Sequence, residues 1–142
     1  MMKRVLKILI ILFIISGCTK RNCVKTSDIA FADLEEDNRS FYNFSVDSFK
    51  VSICQFITPN GDGANENFEI DANLQSNDYV ATSFRVVNAC DEIIHVEKNS
   101  FPFSFPDPRT LEDGQYEFSF SVLLDESKNL ISGAGIVRIV RK

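Results

Sequence analysis

The residues best suited to chemistry lie in one loop. Asn60, Asp62 and Glu66 stand at i, i+2 and i+6, with glycines at 61 and 63 and Asn65 beside Glu66. Calcium takes about six to eight oxygen ligands, and the side chains of Asn60, Asp62, Asn65 and Glu66 plus turn carbonyls supply that type of donor. Two formal charges would set a weak affinity, suited to calcium at extracellular concentrations. The simpler reading of the same residues is an Asn-Gly/Asp-Gly turn whose side chains cap their own backbone. Elsewhere, chemistry is sparse. His95 is the only histidine, which argues against multi-histidine metal sites and acid–base triads. It reads as a half-exposed strand residue. Glu112 and Asp113 could imitate a glycosidase pair, but acids beside a turn are common. There is no phosphate loop, nucleophile elbow or Cys/His dyad, and no enzyme is expected.

The four cysteines divide by position. Lys3, Arg4 and Lys7 precede the apolar run from Ile8 to Ile15. That run is far short of the roughly 20 residues that span a bilayer. A charged start, a short apolar run and small residues behind it describe a secretory signal over 1–17. Its end, Ile15-Ser16-Gly17-Cys18, resembles the lipobox of bacterial lipoproteins. The resemblance implies cleavage after Gly17 and acylation of Cys18. With Thr19 rather than Asp next, it implies an outer-membrane destination, and the basic Lys20 and Arg21 favour the periplasmic leaflet over the cell surface. Several acyl chains at about 0.8 kcal/mol per buried CH2 anchor a domain without a protein span. Cys23, Cys54 and Cys90 then remain in an oxidising compartment. The favoured bridge is Cys54–Cys90, with Cys23–Cys54 or unpaired buried thiols as alternatives. No pair has CxxC spacing, so zinc and redox roles have little support.

These residues need elements to hold them. Apolar residues make up 44% of the 142 and charged residues 25%, enough for a packed core. The formal charge of −5 becomes −8 once Lys3, Arg4 and Lys7 leave with the signal, which disfavours a nucleic-acid partner. Residues 18–40 lack periodicity and read as a lipidated N-terminus and flexible tether. From residue 41 to 142 the period is two. Phe49, Val51 and Ile53 alternate with polar neighbours, and a short strand follows at Phe68 and Ile70. Val80, Thr82, Phe84 and Val86 form one face, turning at 88–91 into Ile93 to Glu97. The strongest pattern places Tyr116, Phe118, Phe120, Val122 and Leu124 on one face, and a last strand is expected after Gly133 and Gly135. Phe101, Phe103 and Phe105 also alternate, but Pro102 and Pro106 confine them to an edge or loop. That stripe is either a partner contact or a flap closing the core. About seven short strands, with no helix of length, predict an all-β, Ig-like antiparallel sandwich.

A longer motif overlaps the candidate calcium loop. Gln55 to Ile70, carrying Thr58-Pro59-Asn60-Gly61-Asp62-Gly63, Asn65, Phe68 and Ile70, resembles the opening of the gliding-motility-associated C-terminal domain, the type B sorting domain of type IX secretion cargo. Looser similarity runs through Phe84 to Asn88, Leu111 to Tyr116 and Gly135 to Arg141, so it covers about residues 50–142. Glu66 stands where the family has Asp. Ala89-Cys90-Asp91 stands where it has Arg-Trp-Gly, and the chain has no Trp.

The combined expectation is an outer-membrane lipoprotein acting as a non-enzymatic interaction module. It would be an accessory subunit of an outer-membrane assembly of the secretion or gliding type, holding bilayer lipid through Cys18 and needing no cofactor. The alternative is a calcium-stabilised surface adhesion or ligand-binding domain.

Overall fold

A computed structural model describes residues 23–27 and 40–141; the signal segment, Cys18 and residues 28–39 lie outside the described residues. The described chain is all-β. Its strands are β1 (Phe41–Val46), β2 (Phe49–Cys54), β3 (Phe56–Ile57), β4 (Ile70–Ala72), β5 (Tyr79–Val87), β6 (Ile93–Lys98), β7 (Gly114–Leu124) and β8 (Leu130–Ile139). They form a three-stranded sheet in the order β1-β2-β4 and a five-stranded sheet in the order β3-β8-β7-β5-β6.

The chain changes sheets within one residue. β1 and β2 pair through a two-residue turn in which Asp47 takes φ 54°, the kind of positive φ tight hairpins require. β2 then stops at Cys54, and after Gln55 the chain enters the second sheet as β3. The Gln55 N–H donates to Ser40 O at 2.9 Å, while its own carbonyl accepts from Arg138 N–H at 2.9 Å. Because β3 runs on across the gap, it lies parallel to β8. A purely antiparallel arrangement is therefore not what forms.

The two sheets share one core. Val51 and Ile53 face Phe84 and Val86 of β5, alternate residues of β7 from Tyr116 to Leu124, and Val137 and Ile139 of β8. The period of two in β7 is realised from Tyr116 to Leu124, with Glu117 and Ser119 exposed between buried aromatics. In β5 a bulge between Tyr79 and Ala81 turns Val80 outward, 52% exposed, so only Thr82, Phe84 and Val86 keep the expected inward face.

β8 starts at Leu130 and runs through both glycines, earlier than the alternation alone suggests. The glycines are strand residues because rings from β1 lie over them. A Cβ on Gly133 would run into the Phe44 ring, and one on Gly135 would sit 2.8 Å from both Tyr42 and Phe118. Phe44 packs edge-on against Phe120 at 5.0 Å and Tyr42 against Phe118 at 5.7 Å, which stitches the small sheet to the large one.

Phe101, Phe103 and Phe105 close the core. Phe103 is 5% exposed and stacks on Phe84 at 5.0 Å, Phe101 meets Tyr79 edge-on at 5.8 Å, and Phe105 stacks on Phe68 at 4.9 Å. The rings fill the gap beneath the β6 side of the sheet as a flap, with Phe103 buried and Phe101 and Phe105 half-buried. Among the described residues, no buried side-chain nitrogen or oxygen lacks a hydrogen-bond partner.

Candidate functional site

Strand polarity gathers the chemistry-bearing residues at one end. β3 and β8 finish there together, β7 begins there, and the β5–β6 turn lies there too. The loop after β3 is closed at its base by Thr58. Its N–H donates to Asn65 O at 2.8 Å and its hydroxyl to Ala64 O at 3.0 Å. Gly61 and Gly63 take φ of 83° and 87°, and Asn65 takes 52°. Nothing lies within 4 Å of where either glycine's Cβ would be, so it is backbone conformation, not crowding, that asks for glycine.

The expected calcium ligands turn inward on their own backbone. Asp62 accepts Ala64 N–H at 2.8 Å on one oxygen and the Asn60 amide at 2.8 Å on the other. Asn60 Oδ1 accepts Asp62 N–H at 3.1 Å, and Glu66 Oε1 accepts the N–H groups of both Gly61 and Gly63. A cation would have to compete with these donors for the same lone pairs. Among the described residues, no group of three or more His, Cys, Asp or Glu side chains is placed to hold a metal. This is the geometry of a self-capped turn.

Arg141 anchors the neighbouring loop. Its guanidinium pairs with Asp113 and donates to the carbonyls of Pro108 (2.7 Å) and Leu111 (2.9 Å), while its N–H donates to Asp113 Oδ2 at 2.9 Å. Asp113 is thus spent on structure, and Glu112 lends its carbonyl to the Tyr116 hydroxyl at 3.0 Å. Burial, then the nearby Glu112 charge, pushes the Tyr116 phenol up. Hydrogen bonds from the Arg109 side chain and N–H hold Asp107 below its ordinary value.

The disulfide joins Cys23 to Cys90, with Cα atoms 5.0 Å apart. The Cys54–Cys90 expectation is corrected for a spatial reason. Cys54 ends β2 with its thiol in the core, where the sulfur accepts Glu69 N–H at 3.2 Å, whereas Cys90 sits in the β5–β6 turn at the rim. Residues 23–27 consequently form a strap and not a flexible tether. Ala89 N–H donates to Cys23 O (2.9 Å), Gln115 N–H to Lys25 O (2.8 Å) and the Gln115 amide to Thr26 O (3.0 Å). Gly114, at φ 155°, admits the strap: a Cβ there would strike the Val24 side chain and lie 2.6 Å from Lys25 O. The sequence signal for this was the Gly-Gln pair opening β7, legible only once the strap is known.

A second polar cluster escaped the sequence reading. His95 and Glu97 oppose Val86 and Phe84, so both point to the inner side of edge strand β6. Ser104 from the phenylalanine flap closes over them. Its N–H (2.7 Å) and hydroxyl (3.0 Å) donate to Glu97 Oε2, and its oxygen lies 3.5 Å from His95 Nε2. Burial pushes the Glu97 carboxyl up, but the hydrogen bonds from Ser104 and Ser100 outweigh it, leaving the group below its ordinary value. Glu97 also lies 3.8 Å from His95 Nε2, the same nitrogen that faces Ser104. A triad needs serine and acid on opposite ring nitrogens, so this is a latch for the flap. No family model, curated protein or solved structure matches the chain.

Proposed function

We propose that the chain is an outer-membrane lipoprotein, acylated at Cys18. Its Ig-like sandwich would act as a non-enzymatic interaction module, an accessory subunit of an outer-membrane assembly of the secretion or gliding type. The observation that carries this is the Cys23–Cys90 bridge, five residues behind a lipobox cysteine. A disulfide fits the oxidising space to which a lipoprotein signal leads. Two mainly antiparallel sheets packed over one core support the Ig-like reading. The Asn60 to Gly63 turn supports the resemblance to the gliding-motility-associated domain, and that link to secretion or gliding is an analogy of fold. Retention on the periplasmic leaflet follows from the basic Lys20 and Arg21.

With Phe103 buried and Phe101 and Phe105 half-buried, the partner surface is placed at β6. This strand is an edge of the five-stranded sheet and leaves Ile93 60% and Val96 45% exposed. An added strand would hydrogen-bond to that edge and cover both side chains. Two measurements test the reading. Labelled fatty acid should enter the wild type and not Cys18→Ser. Native protein from detergent-solubilised envelopes should bring down a partner that Val96→Lys loses while melting at the same temperature. Recovery of the wild type as a lone monomer overturns the interaction module.

A further inference from the structure

We propose that the Cys23–Cys90 bridge works as a clamp on the lipid anchor, keeping one end of the domain close to the bilayer headgroups. The inference rests on acylation at Cys18, as proposed above. It concerns which surface of the domain meets lipid.

Chain geometry carries the argument. From Cys18 to Cys23 there are five residue steps, which span at most about 17 Å fully extended. At Cys23 the chain is covalently fixed to Cys90, in the turn between β5 and β6. The strap then runs to the start of β7 through Lys25 and Thr26. β7 is 11 residues long, about 36 Å from that end to the other. A leash of about 17 Å cannot let the far end, with the Asp47–Ser48 and 125–129 turns, rest on the membrane while the clamped end stands about 36 Å away. Inverted orientations are excluded. The clamped end, with the 58–66 loop and the 111–114 segment, is held within about 17 Å of lipid.

Without the clamp the constraint disappears. The first described residue beyond the strap, Ser40, is 22 steps from Cys18, a leash that reaches about 75 Å extended. Every orientation is then open. Lys20 and Arg21 lie inside the short leash, where they meet phosphate headgroups. The domain end itself carries Asp62, Glu66, Asp91 and Glu92 beside Lys25, so its orientation comes from the covalent clamp and not from charge attraction.

The test uses the full lipoprotein in nanodiscs that contain gadolinium-chelating lipid. Amide signals of 58–66, 88–92 and 111–114 should broaden, and those of 47–48 and 125–129 should relax several-fold more slowly. Inserting a Gly/Ser spacer of roughly ten residues between Asn22 and Cys23 leaves the fold untouched and should erase the contrast. The double variant Cys23→Ser/Cys90→Ser should erase it as well. Protein that enters nanodiscs but broadens evenly at both ends overturns the clamp while leaving acylation standing. Protein that does not associate with nanodiscs overturns acylation and the clamp together.

Discussion

Reduction of the Cys23–Cys90 bridge should undock the strap while the two sheets remain folded. Ordering the five residues 23–27 costs about 1–2 kcal/mol each in backbone entropy, so about 5–10 kcal/mol in all. The return includes hydrogen bonds to Ala89 N–H, Gln115 N–H and the Gln115 amide, at about 0.5–1.5 kcal/mol each. Partial burial of Val24 adds about 1 kcal/mol. The covalent bond adds to these contacts by holding Cys23 at the domain. Globally, a bridge across 67 residues is worth at most about 4 kcal/mol in the chain-entropy account. With a urea slope of about 2 kcal/mol per M, the midpoint should fall by up to about 2 M. Hydrogen exchange on the unlipidated chain from Thr19 onward checks the local claim. On reduction, the Gln115 and Ala89 amides should exchange freely while the amides of Phe118 and Phe120 stay protected. If Gln115 kept its protection after reduction, the strap would dock by itself and the reasoning would fail.

Three further outcomes are expected. Strand propensity favours Gly133→Val, yet the Phe44 ring occupies the needed space, so the variant should lose about 1–3 kcal/mol in a thermal melt; a gain would refute the ring-over-glycine packing. Glu97 has a folded-state pKa below its ordinary value of 4.5, so its contribution is complete above that value and is lost as pH falls through the lower, folded one. Glu97→Gln should therefore lower stability at neutral pH and flatten the acid side of the stability curve, measured by urea midpoints from pH 7 down to acid. Millimolar calcium should leave the melting temperature unchanged, because Asp62, Asn60 and Glu66 already accept the loop's own N–H groups; a clear rise would restore the ion-binding reading.

The legible parts of this fold are those where burial alternates over a long run. β7 alternates from Tyr116 to Leu124 with one face in the core, so that pattern needs no tertiary context. β8 was only half visible, because glycines at 133 and 135 look like a break until the rings of Phe44 and Tyr42 are placed over them. Val80 fits the alternation of β5 on paper, but a bulge reverses it. The 58–66 turn was readable as a turn because Asn-Gly and Asp-Gly name their own backbone conformation.

Site residues were less legible because their roles depend on partners distant in sequence. Spacing offers three ways to pair Cys23, Cys54 and Cys90. The choice is made by the end of β2 carrying Cys54 into the core while Cys90 stays at the rim. Likewise, His95 and Glu97 at i and i+2 announce a shared face, but only the β5 register shows that it is the inner one. That placement has a cost for any added strand. Inward polar groups on an edge discourage extension of the core. A partner strand at β6 can pair backbone to backbone and cover Ile93 and Val96 outside, but on the inner side it meets a carboxylate already satisfied by Ser104. Recognition at this edge would then draw its affinity from main-chain pairing and the outer apolar pair, with the inner row excluding partners that present an apolar side chain there.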